Sequence, residues 1–175
     1  MPISNLVEPL WRPWRRVSKA EVPMSVRPWL VDTASLTQRL IGVCAGAFRV
    51  EVVAQGWRAP MPNEAFALDL SPERYALVRE VHLRCGEQRW VYARTVIPPS
   101  TLSGANRRLA HLKSRSLGAM LFADPNTERG EFEIACITPR DSLYPRAVRA
   151  VRTPPPALWG RRARFVLRGQ PLLVT

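Results

Sequence analysis

The stretch Leu77–Pro98, LVREVHLRCGEQRWVYARTVIP, decides the fold. Two runs rich in β-branched and aromatic residues flank Gly86, the pattern of two strands joined as a hairpin. Side chains alternate along a strand, so Leu77, Arg79, Val81 and Leu83 share one face and Val78, Glu80, His82 and Arg84 the other. On the return strand Trp90, Tyr92, Arg94 and Val96 share a face. Arg79 and Arg94 therefore stand in apolar or aromatic company, where a guanidinium is costly unless it is paired and hydrogen-bonded.

Two readings of Arg79 follow. One is internal: an ion pair with a carboxylate such as Glu133, or a stem lying along the sheet with its head at a strand end. The other is a clamp for the carboxylate of a bound molecule, for which the planar fork of arginine is best suited. Periodicity leaves both open.

Upstream of the hairpin, FRVEVVAQGW (48–57) alternates, with Phe48, Val50 and Val52 on one side and Arg49 and Glu51 on the other, and predicts a further strand. DTASLTQRLIGVC (32–44) predicts a short helix capped by Thr33 or Ser35, with Leu36, Leu40 and Val43 on one face. APMPNEAFALDLSPE (59–73) reads as a Pro-rich loop. Downstream, SGANRRLAHLKSRSLGAMLFA (103–123) reads as one helix or two short ones, with Gly118 as the break. EFEIACI (131–137) alternates as a strand, and RAVRAVRTPPP (146–156) reads as an irregular basic crossing. LWGRRARFVLRGQPLLVT (158–175) reads as a second hairpin, with Trp159 as a core anchor and Arg161, Arg162 and Arg164 on a solvated face. The order helix, strands, helices, strands predicts an α+β fold, an antiparallel sheet with helices packed on it. Residues 1–28, rich in Pro, Arg and Trp without a period, read as a basic arm ahead of a domain at 29–175.

A chain of 175 residues with 46% hydrophobic and 23% charged residues has globular composition, which argues against a wholly disordered chain. The net charge is +12, and of the 26 basic residues only Lys19 and Lys113 are lysines. Between Arg140 and Arg168 eight arginines face one acid, Asp141. Such a balance fits an anionic partner or a solvated Arg-rich surface. No nucleic-acid-binding motif accompanies it, so nucleic acid is not the expected partner.

Three widely spaced cysteines, Cys44, Cys85 and Cys136, read as buried free thiols. His82 and His111, the only histidines, sit beside no Ser or Cys in a nucleophile motif, so neither a metal site nor a triad is expected. No apolar run approaches the roughly 20 residues of a membrane span. Met1–Pro28 lacks the apolar core of a signal peptide, and a cytoplasmic location is expected.

Three blocks, LVREVHLRCGEQRWVYARTVIPPSTLSG (77–104), SLGAMLF (116–122) and LWGRRARFVLRGQPLLVT (158–175), in this order and spacing, resemble the chorismate pyruvate-lyase family. The resemblance runs over roughly Trp29–Thr175 and is weakest over the loop from Ala59 to Glu73. It implies an antiparallel α+β domain with helical flaps over a buried pocket, no metal or organic cofactor, and a monomer. The implied reaction removes pyruvate from chorismate and leaves 4-hydroxybenzoate, a step of bacterial ubiquinone synthesis. The family's substrate-clamping arginine, in its VRE motif, falls on Arg79, which would be both catalytic and substrate-binding. Its other ligand contacts fall on Leu36, where a Met is common, and on Leu117 of the LGxxLF motif. Arg94 is a possible supporting residue. Family members follow PLLVT with a Glu that faces the ligand. This sequence stops at Thr175, so the expectation is a domain lacking the end of its last strand, with activity impaired by the missing carboxylate.

Two other classes of function remain distinguishable from this one. An effector-binding module of the same fold would bind a small molecule saturably without converting it. A nucleic-acid binder would lose affinity for random oligonucleotides steeply with salt.

Overall fold

A computed structural model describes residues 6–71 and 73–175. Among these residues there are eight strands and five short α-helices, in the order β1 Arg12–Pro13, α1 Arg27–Leu30, α2 Leu36–Val43, β2 Phe48–Arg58, α3 Pro62–Ala67, β3 Ala76–Cys85, β4 Gln88–Ile97, α4 Leu117–Ala123, β5 Thr127–Arg129, β6 Glu133–Ile137, α5 Tyr144–Ala147, β7 Leu158–Leu167 and β8 Gln170–Val174. Every pairing between these strands is antiparallel, in the order β1-β6-β7-β8-β4-β3-β2 with β5 on β7. The α+β class and the antiparallel sheet expected from the sequence are both found. No helix of the described residues is long and apolar enough to cross a membrane.

The chain divides into two compact units. The first joins the described residues up to Asp32 to Glu131–Arg162. Here β1 pairs with β6, and β6 with the opening half of β7. Val17, Val22, Leu30 and Ile134 form its core, and Trp159 packs against them as the sequence predicted. Gly160 in the LWGRR block has no room for a side chain: a Cβ there would lie 2.8 Å from Ile137 Cδ1 and 3.0 Å from the Trp11 ring. Arg161 and Arg162 correct the expectation of a solvated face. Arg161 donates to the carbonyls of Trp29 and Asp32 at 3.2 and 2.7 Å. Arg162 is buried, donates to Glu133 at 2.7 Å and lies over the Trp11 ring. Strand periodicity hides this, because it shows which side chains share a face but not what covers that face.

The second unit joins Thr33–Gly130 to Ala163–Thr175. The β3–β4 hairpin turns at Gly86, whose φ of 55° lies where glycine is favoured. β8 lies between β7 and β4, so PLLVT is a central strand of this unit. On one sheet face Leu68, Ala76, Val78, Val96 and Leu173 form a core. Cutting Leu173 to Ala would cost about 2–5 kcal/mol, the usual range for a fully buried leucine.

Three local readings change. Residues 59–73 are not all loop: Pro62 opens α3, and Glu64 bonds back to the Met61 amide at 2.8 Å, closing its first turn. Residues 103–123 form two pieces, a 3-10 helix at Gly104–His111 and α4. The break falls at Lys113, whose φ is 50°, and Gly118 sits inside α4. Cys44 and Cys85 are not free thiols but a disulfide with Cα atoms 5.7 Å apart, while Cys136 is free and exposed. Antiparallel pairing sets Phe48 opposite Cys85, which brings the chain just after α2 to the end of β3 across 41 residues of sequence.

Candidate active site

Arg79 leaves β3 on the face it shares with Leu77 and Val81, and it is only 3% exposed. Its Nη1 donates to Gln55 Oε1 at 2.9 Å, and its Nη2 donates to the carbonyls of Lys113 and Arg115 at 2.6 and 3.3 Å. All three acceptors are neutral. No carboxylate of the described residues lies within ion-pair distance of Arg79, and Glu133 is engaged by Arg162 instead. Burial lowers the pKa of Arg79, with no counter-charge to oppose the shift.

Arg94 shows the opposite solution. It stands directly across from Glu80, so it projects from the sheet face opposite Arg79. Arg94 Nε and Nη2 donate to the two oxygens of Glu64 at 2.6 and 3.0 Å, and Nη1 donates to Glu80 Oε1 at 2.7 Å. The Tyr92 hydroxyl adds a 2.8 Å bond to the same Glu80 oxygen. Burial pulls the Arg94 pKa down, but the bond to Glu64 and the charges of Glu64 and Glu80 raise it on balance. The structure therefore does not bring Arg94 to the Arg79 site.

It does bring Leu36 and Leu117 to neighbouring positions. Each opens a helix behind a serine cap: Ser35 accepts from the Gln38 amide at 3.4 Å, and Ser116 from the Ala119 amide at 3.2 Å. The two helix starts are tied by a 2.8 Å hydrogen bond between Thr37 Oγ1 and Ser116 Oγ. Ser116 follows Arg115, whose carbonyl Arg79 holds, so Arg79, the 113–116 segment and the starts of α2 and α4 form one continuous constellation. Leu117 is buried and Leu36 half-buried.

Gln55 belongs to the same constellation and no sequence pattern indicated it. A bulge between Val52 and Ala54 sets its register, and bulges leave no reliable mark in a strand's sequence. A separate cleft of about 360 Å³ at the far end of α4 is bordered by Arg108, Asp124 and Arg168. Both of its arginines already bond Asp124 Oδ2, at 2.8 and 3.0 Å. Among the described residues no three His, Cys, Asp or Glu side chains converge to hold a metal ion.

A buried guanidinium with only neutral partners suits a small organic molecule that brings its own carboxylate. The chain belongs to the chorismate lyase family, whose model matches residues 10–175. It is 47% identical over 146 residues to a "Probable chorismate pyruvate-lyase" of Methylococcus capsulatus, covering 83% of this chain and 89% of that one. Proteins of the same name from Pseudomonas aeruginosa and Aromatoleum aromaticum are each 42% identical. The first match covers 87% of this chain and 82% of its relative, and the second 92% and 88%. Among solved structures, a possible transcriptional regulator YydK from Bacillus subtilis is similar over 75% of this chain and 58% of that one, at 13% identity and a TM-score of 0.48.

Proposed function

We propose that this protein is a chorismate pyruvate-lyase that cleaves the enolpyruvyl ether of chorismate, releasing pyruvate and 4-hydroxybenzoate for ubiquinone synthesis. The observation that carries the reading is the uncompensated charge of Arg79, buried and bonded only to neutral oxygens. Chorismate carries two carboxylates, and one of them would complete the ion pair that the fold leaves open. A fixed guanidinium that is itself buried interacts with developing negative charge more strongly than it would in bulk solvent.

The reaction breaks a carbon–oxygen bond and removes a ring proton, and aromatisation of the ring supplies the driving force. The protein's task is then to hold the dianion and stabilise charge as the ether opens. In this reading Arg79 clamps the carboxylate and is the catalytic residue. Leu36 and Leu117, at the tied starts of α2 and α4, meet the ligand as the family's contacts do. The net charge of +12 favours capture of a dianion.

Pyruvate release from chorismate tests the proposal, measured with this chain and with a version extended by the codons that follow Thr175 in its locus. Release by either, lost in Arg79→Met, supports the reading. Folded protein of both forms that binds 4-hydroxybenzoate without releasing pyruvate would favour a non-catalytic effector-binding module and overturn it.

A further inference from the structure

The bulge in β2 has a specific effect on the site. Val52 faces Val81, but the next matched pairs are Ala54 with Glu80 and Gln55 with Arg79. One residue is extra. In an unbroken register Ala54 would face Arg79, and Gln55 would face Val78 on the opposite side of the sheet. The bulge therefore moves Gln55 onto the Arg79 face.

Once there, both ends of its amide are used. Gln55 Oε1 accepts from Arg79 Nη1 at 2.9 Å, and Gln55 Nε2 donates to the Ala110 carbonyl at 2.8 Å. An amide turned the other way would set its NH2 against the guanidinium and its oxygen against a carbonyl, so the two partners fix its orientation. With Lys113 and Arg115 holding Nη2, the guanidinium is gripped at both terminal nitrogens. A glutamate at position 55 would have matched Arg79 better as an internal partner, as Glu64 matches Arg94 on the other face. Glutamine instead holds the geometry and leaves the positive charge uncancelled.

We infer that Gln55 is the positioning residue of the Arg79 site, orienting the guanidinium for a substrate carboxylate while leaving its charge available. The inference rests on the chorismate reading for the identity of the ligand. Because Gln55 is exposed, its substitution leaves the core untouched.

The test compares Gln55→Glu and Gln55→Leu with the wild type by three readouts: pyruvate release from chorismate, equilibrium binding of 4-hydroxybenzoate, and the NMR signal of the Arg79 Nε–H group. Gln55→Glu gives Arg79 an internal counter-ion, so KM and the dissociation constant for 4-hydroxybenzoate rise by about tenfold or more, while the carboxylate oxygen set against the Ala110 carbonyl offsets the ion pair's gain in stability. Gln55→Leu removes the hold on Nη1 and leaves only the Lys113 and Arg115 carbonyls on Nη2, so the Nε–H signal weakens by faster exchange and kcat falls. A purely structural role predicts the reverse ranking, with leucine harming stability and glutamate tolerated in binding. KM and product affinity within twofold of wild type in Gln55→Glu would overturn the inference. So would an Arg79 signal unchanged in both variants. If the wild type neither turns over chorismate nor binds 4-hydroxybenzoate, the ligand assignment fails, and the Arg79 signal alone still decides whether Gln55 positions it.

Discussion

Glu64 holds Arg94 by two hydrogen bonds, 2.6 and 3.0 Å, with both side chains almost entirely buried. Arg94 also bonds Glu80, so one guanidinium serves two carboxylates, although Glu80 keeps Arg58 at 3.8 Å and the Tyr92 hydroxyl as further partners. Losing one partner of a buried pair leaves an uncompensated charge, at a cost of about 3–5 kcal/mol. Arg94→Met should reach that range. Glu64→Gln should cost less, because Arg94 keeps Glu80 and can still bond the amide oxygen. Urea denaturation of the two variants checks the order, and equal losses would show that Arg94 does not serve both acids.

Arg79 should behave in the opposite way. It is as deeply buried as Arg94 but has no carboxylate to lose, and its three hydrogen bonds to neutral oxygens offset only part of its desolvation. Arg79→Met should therefore leave stability within about 1 kcal/mol of wild type or raise it, the pattern of a site that trades stability for function. The same variant should lose chorismate turnover. Arg79→Lys keeps the charge without the planar fork, and a loss of about 2–5 kcal/mol in kcat/KM is expected. A stable, fully active Arg79→Lys enzyme would remove the fork from the mechanism.

The contrast between these two arginines also shows what the sequence could reveal. Alternation in Leu77–Val96 located both side chains and marked both as costly, since that property depends only on neighbours along the strand. It could not tell that one would meet Glu64 and the other a neutral amide. Glu64 lies in a Pro-rich stretch that reads as loop, where Pro62 in the first turn and the reach of Glu64 back to the Met61 amide start a helix. Gln55 depends on a bulge, which shifts every later pair in β2 without changing the hydrophobic pattern. The hairpins, the α2 cap as Thr33 or Ser35 and the anchor at Trp159 were legible because local chemistry fixes them, and the structure selects Ser35. Leu36 and Leu117 were singled out by resemblance alone, each as a ligand contact, and what sets their helix starts side by side is the Thr37–Ser116 bond between residues 79 positions apart.

His82 should make stability depend on pH. It is buried, its Nε2 has no hydrogen-bond partner, and its ring meets the edge of Tyr92. Burial first, and then the charge of Arg89, push its pKa below the ordinary value, against smaller opposing effects of Glu51 and the Val91 backbone. The folded protein therefore keeps His82 neutral in a range where the unfolded chain binds a proton. Stability is full above the unfolded pKa of about 6.5 and falls as the pH drops below it, by at most about 1.4 kcal/mol per pH unit. Urea midpoints collected from about pH 7.5 down to 5 should decline more steeply for wild type than for His82→Phe. Parallel slopes would mean that His82 protonates freely in the folded state.

The Cys44–Cys85 disulfide ties the end of α2, the helix that begins at Leu36, to the end of β3, the strand that carries Arg79. Closing a loop across a sequence separation of 41 restricts the unfolded chain, and bridges of this kind contribute about 2–4 kcal/mol. Cys136 is exposed and free, so a Cys136→Ser background keeps it from exchanging with the bridge. In that background, reductant should lower the urea midpoint of the protein. A Cys44→Ser/Cys85→Ser version should match the reduced form and ignore the reductant. Thiol titration of the denatured, unreduced protein should find no free cysteine. Two free thiols there, with no response to reductant, would mean that the pair stays reduced and that the β2–β3 pairing alone holds α2 beside the strand.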